Sequence, residues 1–121
     1  MIYELWKDWH ECRDWLLPAL EHSHGSHNED DVLVRIASGE YKLWRFEKCA
    51  VVTMFIQYPR FKALNIFIAG GDLEDLKSRQ CEIERWASSQ GCARVYSGGR
   101  EGWGRVFPEY AKLGVVYYKD L

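Results

Sequence analysis

Residues 64–90 restrict the possible folds of this chain more than any other stretch. Aliphatic residues at 64, 66 and 68 alternate with Asn65 and Phe67, as in a β-strand, and Gly70 and Gly71 follow one residue later. A helical pattern then begins at Leu73 and continues to about Gln90. The sequence therefore predicts a strand that enters a helix through a glycine turn. This layout is common in anion-binding pockets, because the amides at a helix N-terminus point at the ligand.

Three carboxylates occupy the predicted start of that helix, at Asp72, Glu74 and Asp75. Acids at this position cap the free N–H groups and complement the helix dipole, but they also repel a phosphate. Gly70 and Gly71 are the candidate cofactor-binding residues, because their backbone amides could approach a phosphate. The alternative is a turn that requires positive φ, followed by a capped helix. The acids favour this alternative.

Composition limits the classes of function. The chain has 121 residues, a net charge of −2 and 47% hydrophobic residues, which fits one globular domain over residues 1–121. This charge gives no basis for binding nucleic acid or an anionic membrane, and no apolar run approaches the ~20 residues of a membrane span. The N-terminus carries several acids and does not read as a signal peptide. The four cysteines are widely separated, which favours buried thiols in a reducing cytoplasm.

The remaining patterns predict the order helix, helix, three antiparallel strands, helix, strand, helix, strand. This order indicates an α/β fold with a mixed, mostly antiparallel sheet and helices on both faces. Pro18 is expected to kink or split the first helix, and Pro108 to bend or delay the last one, which should end at Gly114. The predicted strands are residues 40–46, 49–58, 61–69, 93–97 and 115–119, and the second and third helices are residues 31–38 and 73–90.

The end of the chain carries two short motifs, Tyr-Ala-Lys-Leu-Gly at residues 110–114 and Gly-Arg-Glu-Gly-Trp at residues 99–103. The first resembles the Tyr-x-x-x-Gly segment of GNAT-type N-acetyltransferases. The second is similar to a turn of small GNAT-like proteins encoded by tailed bacteriophages. The resemblance implies a single GNAT-like domain, and it implies that Tyr110 corresponds to the general acid that protonates the departing coenzyme A thiolate.

One departure from the family decides the expected function. Residues 72–75 are acidic where the resemblance implies a glycine-rich cradle for the pyrophosphate of acetyl-CoA. We therefore expect a divergent bacteriophage-type protein without a cofactor, acting as a non-catalytic virion or host-interaction module in the virion or the host cytoplasm. The alternative is an acetyl-CoA-dependent N-acyltransferase with Tyr110 as general acid. Tyr110 could instead pack with Trp103 and Phe107, its hydroxyl bonded to backbone.

Arg100, Trp103 and Arg105 are the candidate partner-binding residues, because they surround a glycine turn. An arginine and an exposed tryptophan suit a protein-interface anchor. Neighbouring acids allow a solvated, salt-bridged face instead. We expect a protein partner from host or phage and no nucleic acid, and we leave self-association open. Trp6 and Trp15 fall off the apolar face of the first helix, and they either pack under the following loop or form a second exposed patch.

His22, His24 and His27 form a cluster beside acidic residues 29–31. Imidazoles and carboxylates at such spacing can ligate zinc or nickel. However, a loop without cysteine does not fix tetrahedral geometry, and the cluster also fits a solvated polar loop. We expect no metal.

Overall fold

The computed structural model describes residues 2–98 and 102–121. The elements in these residues are α1 (Ile2–Leu20), a 3-10 turn (Glu21–Ser23), α2 (Glu29–Ser38), β1 (Tyr41–Arg45), β2 (Cys49–Gln57), β3 (Lys62–Gly71), α3 (Leu73–Ser89), β4 (Cys92–Ser97) and α4 (Trp103–Val106). The four strands form a mixed sheet in the order β1-β2-β3-β4, which lies between helices on its two faces. Neighbouring strands β1, β2 and β3 are antiparallel, and β4 is parallel to β3. The predicted α/β class and mixed sheet are therefore confirmed.

Helix α1 packs on the sheet through the apolar face that its periodicity predicts. Trp9, Cys12 and Leu16 are completely or almost completely buried. The expected split at Pro18 is wrong, because the helix continues to Leu20. Pro18 lies in the last turn of the helix, and only two helical residues follow it. The backbone hydrogen bond that its ring removes therefore lies at the helix end and not in the interior. Trp15 packs against this core as a half-buried residue, whereas Trp6 is exposed.

Helix α2 ends at Ser38, as its sequence predicts, but it begins at Glu29, two residues before the predicted start at Asp31. The Asn28 side chain accepts a hydrogen bond from the Asp31 amide, and the Asp31 carboxylate accepts one from the Asn28 amide. This reciprocal pair is a capping box, which satisfies two donors at the helix start. Gly39 ends the helix with a φ of 87°, a conformation that glycine adopts without a Cβ clash.

Helix α3 covers the opposite face of the sheet through Leu76, Ile83 and Ala87, which are buried, with Trp86 at the margin. Their helical spacing places them on one face of α3. On β1 the indole N–H of Trp44 donates to a buried threonine hydroxyl, that of Thr53 on β2, across 2.9 Å. This bond pairs the two buried polar groups of Trp44 and Thr53 in the layer beneath α3.

Strand β3 contains a β-bulge. Val52 lies opposite Ile68, whereas the next residue of β2, Thr53, lies opposite Ile66. Phe67 is therefore an extra residue on β3 with no counterpart on β2. A bulge bends its strand and frees backbone groups from the ladder, and such sites often lie beside functional sites.

Two predictions for the C-terminal region are wrong. The last helix covers only Trp103–Val106, since Pro108 cannot donate a backbone hydrogen bond to continue it. Residues 115–119 were predicted as a strand, but they form no regular element and are exposed. Their apolar composition favours a strand, yet they pair with none of the strands in the described residues.

Among residues 2–98 and 102–121, no helix combines the length and apolarity that crossing a membrane requires.

Candidate binding cavity

A cavity lies where strands β3 and β4 diverge. The two strands pair only as far as Ile66 with Ser97, whereas β3 continues to Gly71. The bulge at Phe67 falls at this point of divergence. The end of β3 therefore pairs with β2 on one side and borders a cavity of about 440 Å³ on the other.

The cavity walls come from five parts of the chain: the end of α1 with its 3-10 turn, β3, the first turn of α3, the end of β4, and α4. Apolar side chains supply most of the lining, and His22, Ser23, Asn65 and Ser97 add polar groups. A mostly apolar cleft with a few polar groups is typical of a ligand or side-chain pocket. The apolar lining includes Ala19, Phe67, Leu73, Leu76, Trp103 and Phe107.

Trp103, a predicted partner-binding residue, forms part of this wall. Its ring lies 4.4 Å from that of Phe107 and is half buried. Its indole N–H is buried and has no hydrogen-bond acceptor among the described residues. An unpaired buried donor costs about 1–3 kcal/mol. Arg105 is exposed beside it, and Arg100 lies outside the described residues.

Tyr110, the predicted general acid, is tied to α3. Its hydroxyl donates to the Glu84 carboxylate across 3.0 Å and accepts a hydrogen bond from the Gln80 amide across 2.5 Å. Burial, opposed in part by the bond from Gln80, raises the pKa of Tyr110 well above its usual range. The ring packs edge-on against Trp103, but Tyr110 is not among the residues that line the cavity. The hydroxyl therefore binds side chains, whereas the alternative of a packed Tyr110 expected it to bind backbone groups.

The two predicted cofactor-binding glycines are explained by close packing. A Cβ at Gly70 would lie 1.9 Å from the carbonyl oxygen of Trp15, because α1 crosses β3 there. Gly71 has a φ of 114°, and a Cβ there would lie 2.5 Å from the carbonyl oxygen of Lys48. Protein backbone therefore fills the space beside both glycines.

The start of α3 is capped by its own acids and anchored to the β1–β2 connection. The Asp72 carboxylate accepts a hydrogen bond from the Asp75 amide, and the Asp72 amide donates to the Lys48 carbonyl. The Asp75 carboxylate accepts from the Lys48 amide at 2.9 Å and from Arg79 at 3.2 Å. The bond from Lys48 is the main reason that the pKa of Asp75 lies below its usual value. Asp75 thus faces the protein, not the cavity.

These contacts do not fit a bound pyrophosphate. The amides of Asp72 and Asp75 already have protein acceptors, and backbone atoms occupy the position that a Cβ would take at each of the two glycines. Glu74 adds an exposed negative charge at the same helix start, next to Lys77. A phosphate would have to displace capping bonds and approach carboxylates.

The three histidines of the predicted cluster have separate environments. His22 lines the cavity, and His24 has a left-handed φ of 57° with its ring against Tyr118. The Nε2 atom of His27 lies 3.2 Å from the Tyr41 hydroxyl, and its ring packs 4.8 Å from that of Phe67. In the described part of the chain, no three histidine, cysteine or acidic side chains converge as a metal site would require.

A second cavity of about 490 Å³ lies beside β1, between α1, α2 and the sheet. Glu4, Asp8, Glu40 and Lys42 give it a charged rim. None of the described candidate residues from the sequence lines it.

The sequence pattern did not indicate Phe67 in the cavity wall, nor Gln80 and Glu84 as the two partners of the Tyr110 hydroxyl. Gln80 is almost completely buried, four residues after Leu76 on the apolar face of α3. A polar residue at that position of the helical period could have marked it as the partner of another buried group. Glu84 follows Gln80 by one turn and completes the same contact with Tyr110. Phe67 carries no such signal, because a bulge depends on the register of two strands.

Comparison of the chain with protein-family models, with curated proteins and with solved structures gave no match.

Proposed function

We propose that this chain is a divergent bacteriophage-type protein of GNAT-like fold that acts as a non-catalytic binding module, in the virion or on a host protein. The observation that carries the proposal is the engagement of Tyr110. Its hydroxyl is held between Gln80 and Glu84 and lies outside the cavity lining. A general acid must reach the reacting atoms, so this tyrosine is better suited to tie α3 to the segment after α4.

The cavity favours an apolar side chain from a protein partner. Its volume of about 440 Å³ falls in the range of ~300–1,000 Å³ found for binding sites, and its walls are mainly apolar. Trp103 in the wall and exposed Arg105 nearby are of the residue types that most often dominate binding energy at interfaces.

The charges at the start of α3 support the absence of a coenzyme A site. Asp72 and Asp75 use their carboxylates to bind backbone amides that a phosphate would otherwise accept from. Backbone atoms of Trp15 and Lys48 fill the space beside Gly70 and Gly71. An apolar ligand at the cavity requires none of these groups.

The second candidate function is an acetyl-CoA-dependent N-acyltransferase. The bulge at Phe67 and the divergence of β3 from β4 favour it, because they free backbone groups beside a cleft. Under this function Tyr110 would be the general acid, with Gly70 and Gly71 at the cofactor. The contacts of these three residues argue against it.

The proposal is tested by filling the cavity and measuring capture of a partner from phage-infected cells. Ala19→Leu replaces a methyl side chain by an isobutyl side chain at the cavity wall near the end of α1. The matched control is Ala37→Leu, which makes the same replacement at an exposed position of α2. Both variants are checked by thermal melting, so that a loss of folding is not mistaken for a loss of binding.

We expect wild type and Ala37→Leu to retain one and the same protein, and Ala19→Leu to retain at least tenfold less of it. Trp103→Phe, which keeps an aromatic ring in the wall, should give an intermediate loss. Equal capture by Ala19→Leu and Ala37→Leu would contradict the cavity as the binding site. Acetyl transfer that Tyr110→Phe abolishes in a folded protein would contradict the non-catalytic function.

A further inference from the structure

The last nine residues of the chain expose much of its apolar surface. Six of the twelve large hydrophobic side chains that are exposed in residues 2–98 and 102–121 fall in this C-terminal segment, residues 113–121. Val116 in the middle of the segment is 95% exposed. Patches of this kind on a folded domain mark surfaces that another chain covers. The six residues are Leu113, Val115, Val116, Tyr117, Tyr118 and Leu121.

The composition of this segment is that of a β-strand. Valine and tyrosine, which form residues 115–118, are among the residues most enriched in strands. Successive side chains of a strand point to opposite faces, so this run would present apolar groups on both. Such a pattern is typical of a strand that is covered on both sides. The segment thus has the composition of a strand, but it pairs with no strand in the part of the chain that the structure describes.

The sheet has an edge that can receive a strand. In the described residues β4 pairs on one side only, with β3. Its Val95 and Tyr96 remain half buried, and Arg94 is its one charged residue. Charged side chains protect the other edge, where Lys42 and Arg45 stand within the five residues of β1.

We propose that the C-terminal segment of one copy of this chain adds as a strand to the β4 edge of a second copy, which returns its own segment to the first. Backbone hydrogen bonds along an open edge provide affinity, as in other cases of strand addition. Each copy carries both the segment and the edge, so the exchange closes as a two-fold dimer. Within one chain the segment lies elsewhere: the Tyr118 ring is 5.6 Å from that of His24 and stays largely exposed.

The buried area agrees with what a stable dimer requires. A covered aromatic side chain removes about 150–250 Å² from water, so the four exchanged copies of Tyr117 and Tyr118 supply on the order of 600–1,000 Å². The valines, the leucines and the covered β4 edge bring the total toward the ~1,200–2,000 Å² of standard interfaces.

The test is the oligomeric state of the full chain, measured by analytical ultracentrifugation over a range of micromolar concentrations. Val116→Lys places a charge in the exchanged strand, and Tyr117→Ser is a second variant at the neighbouring position. The matched control is Val34→Lys, because Val34 is an exposed valine of α2 outside the segment. Nuclear Overhauser contacts between isotope-labelled and unlabelled copies then identify which copy covers β4.

We expect dimeric wild type and dimeric Val34→Lys. Both segment variants should be folded monomers, or dimers with a dissociation constant at least tenfold higher. Contacts between residues 115–118 and β4 should run between different copies. A monomeric wild type would overturn the proposal, as would a dimer that both segment variants leave intact, or contacts to β4 that arise within one copy.

Discussion

The hydroxyl of Tyr110 donates a hydrogen bond to the Glu84 carboxylate across 3.0 Å, and this bond ties the segment after α4 to the middle of α3. Gln80 donates to the same oxygen from the preceding turn of the helix. A residue that the family resemblance marks as a general acid is thus engaged in joining two parts of the fold.

Removing this hydroxyl should lower stability. In Tyr110→Phe the buried Gln80 amide loses its acceptor, and we expect the free energy of unfolding to fall by about 1–3 kcal/mol. Urea denaturation of the variant and wild type measures the difference. Tyr3→Phe is the control, because Tyr3 is 80% exposed, and it should change stability by less than about 0.5 kcal/mol. Equal stability of Tyr110→Phe and wild type would contradict the structural role.

The same tyrosine predicts a loss of stability in alkali. The pKa of Tyr110 is raised in the folded protein, so the unfolded chain ionises first, near the ordinary value of ~10. Below that pH the stabilisation is fully present, and it declines as pH rises through the raised pKa of the folded state. Unfolding curves at increasing pH should therefore show a steeper decline for wild type than for Tyr110→Phe. Parallel declines would show that Tyr110 ionises equally in both states.

An ion pair between α1 and α2 predicts acid sensitivity. Glu29 accepts hydrogen bonds from Arg13 at 2.8 and 2.9 Å and from the Trp9 indole at 2.8 Å. The bonds from Arg13 are the largest reason that the pKa of Glu29 falls from 4.5 to about 2. The stabilisation is present above the unfolded pKa and is lost as pH falls toward 2.

We expect Glu29→Gln to cost about 1 kcal/mol at neutral pH, because about a third of each charged side chain is exposed and water weakens the pair. The variant should also lose less stability than wild type on acidification below about pH 4.5. Glu82→Gln, at an exposed position of α3, is the control. The same acid dependence in Glu29→Gln and wild type would refute the assignment.

The glycines at the end of β3 should be required for folding. In Gly70→Ala the new Cβ meets the Trp15 carbonyl oxygen, so the backbone of α1 or β3 must shift, at a cost of about 1–3 kcal/mol or more. Gly98→Ala is the matched control, since its Cβ would meet no atom within 4 Å. Thermal melting should separate the two variants clearly. A Gly70→Ala protein as stable as Gly98→Ala would leave the glycine free for another role.

The cysteines should differ in reactivity. Burial raises the pKa of Cys12 to about 11 and that of Cys49 to about 12, whereas the Cys81 side chain is exposed. Because the thiolate is the reacting species, a disulfide reagent at mildly alkaline pH should label Cys81 first. The Cys12 and Cys49 thiols should react only as the protein unfolds. A fast phase that persists in Cys81→Ser would contradict this order.

Periodicity predicted the parts of the fold that depend on local pattern. The buried face of α1 at Trp9, Cys12 and Leu16 follows the helical period of the sequence, and α2 ends at Ser38 as predicted. The same holds for the antiparallel strands that precede α3. Each rests on residues that are neighbours along one helix or strand, so their spacing carries the information.

The rest depended on contacts between distant segments. Residues 115–119 have the composition of a strand, but a strand requires a partner, which no local pattern provides. The role of Gly70 depends on where α1 crosses β3, and the bulge at Phe67 depends on the register of β2. The hydroxyl of Tyr110 forms hydrogen bonds with Gln80 and Glu84, which lie about thirty residues earlier in the sequence.

The most direct measurement is a calorimetric titration of acetyl-CoA, and separately of free coenzyme A, into the purified full chain. With the amides of Asp72 and Asp75 already bonded and the space beside Gly70 filled, we expect no saturable heat and no shift in melting temperature up to millimolar ligand. Saturable binding at micromolar concentration would contradict the proposed non-catalytic module, and the acyltransferase would then become the leading candidate function.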